Sequence, residues 1–161
     1  MIILSSTRFN TQTWDENCRF REKNKLNGCI YCSPQSMPAK IDIGATVFVV
    51  EMNNSTNEIE GIGLIKNRPI TNKSGIYEER HFNRYVFVGE YRINRDVLLR
   101  YNSQLVHSLD HILFKEKTHL KRGCGMTTIP EKLLKHDICQ QMNIKMEIRN
   151  LFILQFSEKI N

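Results

Sequence analysis

Long apolar runs are what this chain most plainly lacks. The longest apolar segment, ATVFVV at Ala45–Val50, falls far short of the roughly 20 residues that a membrane-spanning helix needs. No charged start leads into an apolar stretch, so no secretory leader is read. The expectation is a soluble, intracellular protein of the cytoplasm or nucleus with no membrane partner. Cysteine is sparse and odd in number, at five, which argues against a disulfide framework and for thiols in a reducing compartment. Also absent are a Gly-x-Ser-x-Gly elbow, a Walker loop and a dinucleotide fingerprint, since the glycines of GIGLIKN sit in a strand pattern and open no helix. His107 and His111 have zinc-protease spacing, but Ser108 stands where that motif needs its glutamate. Nothing here compels an enzyme, and no cofactor is expected. There is no repeat, low-complexity tract or linker, so residues 1–161 read as one domain, long enough to bury a core of its own.

Positive charge is in excess. A formal charge of +6 and a pI near 9.1 favour an anionic partner through long-range attraction.

The first half is strand-like. MIILSS reads as a strand and NTQTWDENCRFREKN as a polar helix capped by Asn10 or Thr11. CIYCSP reads as a second strand stopped at Pro34. GATVFVVEMNNSTNEIEGIGLIKN is a hairpin whose turn is Asn53–Asn57. RPITNKSGIYEERHF is a surface loop. In RYVFVGEYRI, residues Tyr85, Phe87, Tyr91 and Ile93 share one face of a single strand. The second half changes period: Val106, Leu109, Ile112 and Leu113 recur at helical spacing with Ser103 as cap, and Ile144, Ile148, Leu151 and Phe152 repeat the pattern. The fold expected is α+β, with a helical part from about residue 131.

Two stretches carry candidate chemistry. Cys29 and Cys32 form a C-x-x-C, which would need His136 and Cys139 as distant partners to complete a four-ligand zinc site. With no partner near, the default reading is two thiols and no metal. In HLKRGCGMTTIPEKLL, Thr128 and Glu131 read as a capping box at a helix start. Lys121 and Arg122 precede it, and Gly123 and Gly125 allow close backbone approach, an arrangement suited to phosphate.

In this order, the strand, polar helix, GCIYCSP, hairpin, YVFVGEYRINRDVLL and basic HLKRGCG loop resemble the YTH and EVE branch of the PUA-like fold over roughly residues 1–130. The resemblance implies a small mixed β-barrel flanked by helices, with a pocket beside it for a modified base and basic residues for the adjoining backbone. CIYCSP is similar to the YTH segment whose tryptophan walls the cage, and Tyr31 takes that place. Trp14, the chain's one tryptophan, lies in the first helix instead, and the loop after the hairpin offers no assigned second wall. The resemblance places Asn10 at the pocket rim and matches Lys121 and Arg122 to a backbone-binding loop. The whole chain also resembles proteins of large nucleocytoplasmic DNA viruses, which would act in the infected host cell.

The leading expectation is a non-enzymatic domain that binds RNA or single-stranded DNA as a modified-base reader. Tyr31 would stack the base at about 1–3 kcal/mol, Ser33 and Asn10 would bond its polar edge, and Lys121, Arg122, Gly123, Gly125 and the Thr128 helix start would hold phosphates. Its rival is a protein-interaction or zinc-stabilised scaffold, and an enzyme acting on nucleic acid ranks third.

Overall fold

The computed structural model describes residues 1–70, 75–115, 117 and 120–160, the last three without their side chains. Seven strands and five helices are present among the described residues: β1 (Ile3–Phe9), α1 (Thr11–Lys23), β2 (Cys29–Ser33), β3 (Thr46–Asn53), β4 (Glu58–Lys66), β5 (Tyr85–Gly89), β6 (Tyr91–Asn94), α2 (Arg95–Tyr101), α3 (Ser103–Phe114), β7 (Thr127–Thr128), α4 (Glu131–Leu134) and α5 (Ile144–Ile160). The fold is mixed α+β, as expected. Five strands form one sheet in the order β6-β4-β3-β1-β7, while β2 and β5 form a separate pair. β1 runs parallel to β3, and the other pairings are antiparallel. No closed barrel ladder is formed among the described residues.

The large sheet separates two cores, which explains why β3 is buried along nearly its whole length. On one face Leu4, Phe48, Val50, Met52, Ile62 and Ile93 pack against Leu105, Leu109, Ile112, Ile148 and Phe152 from the helices. On the other, Val47, Val49 and Ile65 meet Cys29, Ile30, Tyr31 and Phe87 of the small sheet. The helical-period residues are buried as their spacing predicts. No helix among the described residues is long and apolar enough to cross a membrane.

The expected hairpin is present, β3 to β4, with a register shift at Glu51/Met52. RYVFVGEYRI is not one strand. β5 pairs with β2 and β6 with β4, so the chain steps between sheets at Gly89–Glu90. A Cβ on Gly89 would lie 2.0 Å from the Leu64 carbonyl oxygen, and glycine there lets the two backbones close the corner. Phe87 and Ile93 consequently enter different cores.

Three terminus assignments also change. α2 follows β6 directly, with Asn94 accepting from the Val97 amide at 3.0 Å. Asn102, not Ser103, caps α3 by accepting from the Leu105 amide at 3.1 Å. Thr128 forms no capping box, because it lies in β7 opposite Ser5. The helix after it is one turn, and its N-cap Pro130 has no side chain to cap with. Of the long loop after the hairpin, residues 71–74 lie outside the described residues, as does His119.

Candidate functional site

At the C-terminal end of β1, five chain segments meet around a cleft of about 240 Å³. β1 and the start of α1 supply Thr7, Arg8, Phe9, Asn10 and Thr13; the end of β2 supplies Cys32 and Pro34. The loop after the hairpin brings Tyr77 and Phe82, and the basic loop brings Lys121, Gly123, Cys124 and Gly125. Asn54 of the hairpin turn completes the wall. Four of the eight expected nucleic-acid residues are thus brought together: Asn10, Lys121, Gly123 and Gly125. Arg122 lies beside them on the exposed surface.

Each wall has a local cause. Asn10 caps α1, accepting from the Thr13 amide at 2.8 Å while its own amide donates to Thr13 Oγ1 at 3.0 Å. The hairpin turn ties the basic loop down: Asn54 Nδ2 donates to the Lys121 carbonyl at 2.8 Å, and Lys121 Nζ donates to Asn57 Oδ1 at 2.6 Å. Arg8 holds the loop from beneath, donating to the carbonyl of Leu120 at 3.1 Å, to that of Gly125, and to Thr127 Oγ1 at 3.0 Å. Asn83 closes the aromatic loop by accepting from the Ile76 and Tyr77 amides, each at 3.0 Å, and donating to the Tyr77 carbonyl at 2.8 Å. This turn sets Tyr77 and Phe82 edge to face, with ring centroids 6.3 Å apart. Tyr77 is buried, and its hydroxyl accepts from Asn17 Nδ2 at 3.0 Å. Phe82, at 37% exposure, is the wall ring open to a ligand.

Tyr31 is not a stacking wall. It is 1% exposed, and its hydroxyl donates to Glu51 Oε2 at 2.6 Å in the small core. Glu51, also 1% exposed, accepts from Arg92 Nη2 at 2.6 Å and Nε at 2.9 Å. Burial pushes the Tyr31 hydroxyl well above its ordinary value, with the nearby Cys29 and Glu51 adding to the rise. Burial pulls at Arg92 in the opposite sense, but the Glu51 carboxylate outweighs it and holds that guanidinium protonated. Ser33 is likewise withdrawn. At 1% exposure its hydroxyl is engaged within its own turn, donating to the Gln35 carbonyl at 2.7 Å and accepting from the Gln35 amide at 3.1 Å. Thr128, within the short β7 ladder, does not line the cleft.

The four candidate zinc ligands are not assembled. Cys29 lies in the small core and Cys139 in the large one, across the sheet. Three residues on from Cys29, Cys32 points the other way and lines the cleft. Burial pushes both thiols up to about 12. His136 Nδ1 accepts from the Ile138 amide at 3.0 Å. No group of three or more metal-ligating side chains occurs among the described residues.

Arg8, Asn54, Tyr77 and Phe82 were not singled out by the sequence patterns. A signal for the aromatic pair does exist in GIYEERHFN, where a glycine and an asparagine bracket two rings in a polar stretch. Charge is divided around the site. No carboxylate lines the cleft among the described residues, whereas Glu16, Glu78 and Glu79 line an adjoining depression that shares Asn10, Thr13, Tyr77 and Phe82. The field around the site therefore favours an anion on the Lys121 and Arg122 side over the α1 side. No family model, no curated protein and no solved structure matches this chain.

Proposed function

We propose that this chain is a PUA-like nucleic-acid-binding domain that admits one unstacked base of a single strand, with RNA the expected partner. In this reading the β2–β5 pair closes a barrel-like layer over the large sheet, and the cleft sits beside it. Phe82 is the stacking ring in place of Tyr31, the polar atoms of Asn10 and Thr13 face the base edge, and Lys121 and Arg122 contact the backbone. The supporting observation is the cleft itself, which is lined by both an exposed aromatic ring and a basic glycine loop, with no carboxylate among its described lining residues. Its volume of about 240 Å³ lies below the ~300–1,000 Å³ of drug-sized pockets, which limits the occupant to one base or a similar group. Reading a modified base is the finer form of this proposal.

Titrating a panel of modified and unmodified single strands against Phe82→Ala tests it. Loss of the ring should cost about 1–3 kcal/mol in binding with little change in stability. A folded variant that binds as well as the parent would remove the cleft from the interface. The rival protein-interaction reading has one observation of its own. Met146, Ile153 and Leu154 of α5 are exposed, as is Tyr101, an apolar surface of the kind that partners cover.

A further inference from the structure

Among the described residues no carboxylate pairs with Arg8. Its three described hydrogen bonds go to two carbonyls and a hydroxyl, all neutral acceptors. No ion pair to it occurs among the described residues, and no carboxylate lines its cleft. Arg92 and Arg95, by contrast, each have an acid, Glu51 and Asp110, while the half-buried Arg21 bonds to Asn17 and Cys18 and lies over the Trp14 ring. A guanidinium partly removed from water without a counter-charge is costly, and an entering anion removes that cost. Burial lowers the pKa of Arg8 from its ordinary value, with Cys124 opposing, as expected of an uncompensated cation. Guanidinium has five N–H donors, so some remain for a ligand beyond the three bonds described.

We propose that Arg8 makes the inner end of the cleft a seat for the terminal phosphate monoester of a nucleic-acid strand. The inference rests on the reading of the cleft as a nucleic-acid site. A terminal group is specified because the loop Leu120–Gly125 roofs the guanidinium: both end carbonyls accept from it, and a Cβ on Gly123 would lie 2.9 Å from its Cζ. An internal phosphodiester must continue on both sides of its phosphorus, whereas a terminal group needs only one side free, and the loop covers one side of the guanidinium. A monoester also carries about −1.5 to −2 at pH 7, which suits a cleft whose charged lining residues, among those described, are Arg8 and Lys121. Lys121 stands at its mouth, and guanidinium matches phosphate geometry better than ammonium does.

The test compares one oligonucleotide with a 5′-phosphate, a 3′-phosphate or two hydroxyl ends, together with a nucleoside monophosphate and its parent nucleoside, all on the unaltered protein. One phosphorylated end should bind on the order of tenfold to hundredfold more tightly than the hydroxyl form, the range of a charge-assisted hydrogen bond. Arg8→Lys, which keeps the charge and loses the fork, should erase most of that preference. Equal binding of all three oligonucleotides overturns the phosphate seat and leaves the base-binding cleft standing. Binding of the monophosphate over the nucleoside, with no oligonucleotide bound, supports the seat and removes the nucleic-acid reading. Binding of none overturns both, and full end preference in Arg8→Lys overturns the role of Arg8. The end comparison needs no variant, so a misfolded Arg8→Lys does not shield the proposal.

Discussion

Replacing Tyr31 by Phe separates a core residue from a ligand wall. The ring stays and only the hydroxyl goes, so no large cavity is left. What is lost is the 2.6 Å bond to Glu51, donated to a carboxylate that is 1% exposed. A hydrogen bond to a charged group contributes about 1.5–3 kcal/mol. The loss should stay below the ~3–5 kcal/mol of breaking a buried ion pair, because Arg92 still donates to Glu51 through Nε and Nη2. For a domain of this size 1 kcal/mol moves Tm by about 2–4 °C, so the variant should melt about 3–12 °C lower. Arg92→Met, which strands Glu51 without its cation, should cost more than Tyr31→Phe. Urea and thermal unfolding of both variants, beside single-strand titrations on the same preparations, check the argument. Tyr31→Phe as stable as the parent but deficient in binding would refute it and return Tyr31 to the pocket.

Two further predictions follow from the site and the small core. Lys121→Ala with Arg122→Ala should weaken single-strand binding uniformly across sequences and reduce the salt slope by about 1.4 units, at roughly 0.7 per contact on single strands; titrations at several salt concentrations measure it, and an unchanged slope would exclude both residues from the backbone path. Stability should fall in alkali, because burial holds Cys29 and Cys32 at about 12 against an ordinary 9.0. The folded state keeps protons that the unfolded chain has lost, so this contribution is complete below about pH 9 and lost as pH rises towards 12, at up to about 1.4 kcal/mol per pH unit for each thiol. Urea midpoints from pH 8 to 11 that stay level would contradict the burial of these thiols.

The elements legible in the sequence were those with a local cause. The hairpin turn Asn53–Asn57, the Asn10 cap and the helical spacing around Leu109 and Ile148 each depend on neighbours within a few residues. The β5–β6 corner does not, because alternation from Tyr85 to Ile93 runs unbroken through Gly89 and only the pairing with two different partners divides it. Thr128 was misread for a related reason. Thr-Ile-Pro-Glu is a sound start signal, but Ser5 and Ser6 draw Thr127 and Thr128 into a ladder first, and the helix begins at Glu131.

The same limit governs the site, and the glycines show it best. Gly123 and Gly125 suggest backbone left bare for a phosphate, yet their missing side chains leave room for the protein's own groups: Arg8 Cζ lies 2.9 Å from where a Cβ on Gly123 would stand, and Ser33 Oγ 2.6 Å from one on Gly125. Gly125 also has φ of +69°, which disfavours any other residue. Gly63 plays the matching part in the small core, where a Cβ would stand 2.2 Å from the Tyr31 hydroxyl. In each case a glycine and a polar side chain distant in sequence occupy one space. A pattern read along the chain shows the gap and hides its occupant. Tyr31 and Ser33 therefore looked available although the fold had already used them, and Arg8 looked like an ordinary strand residue although it underlies the whole basic loop.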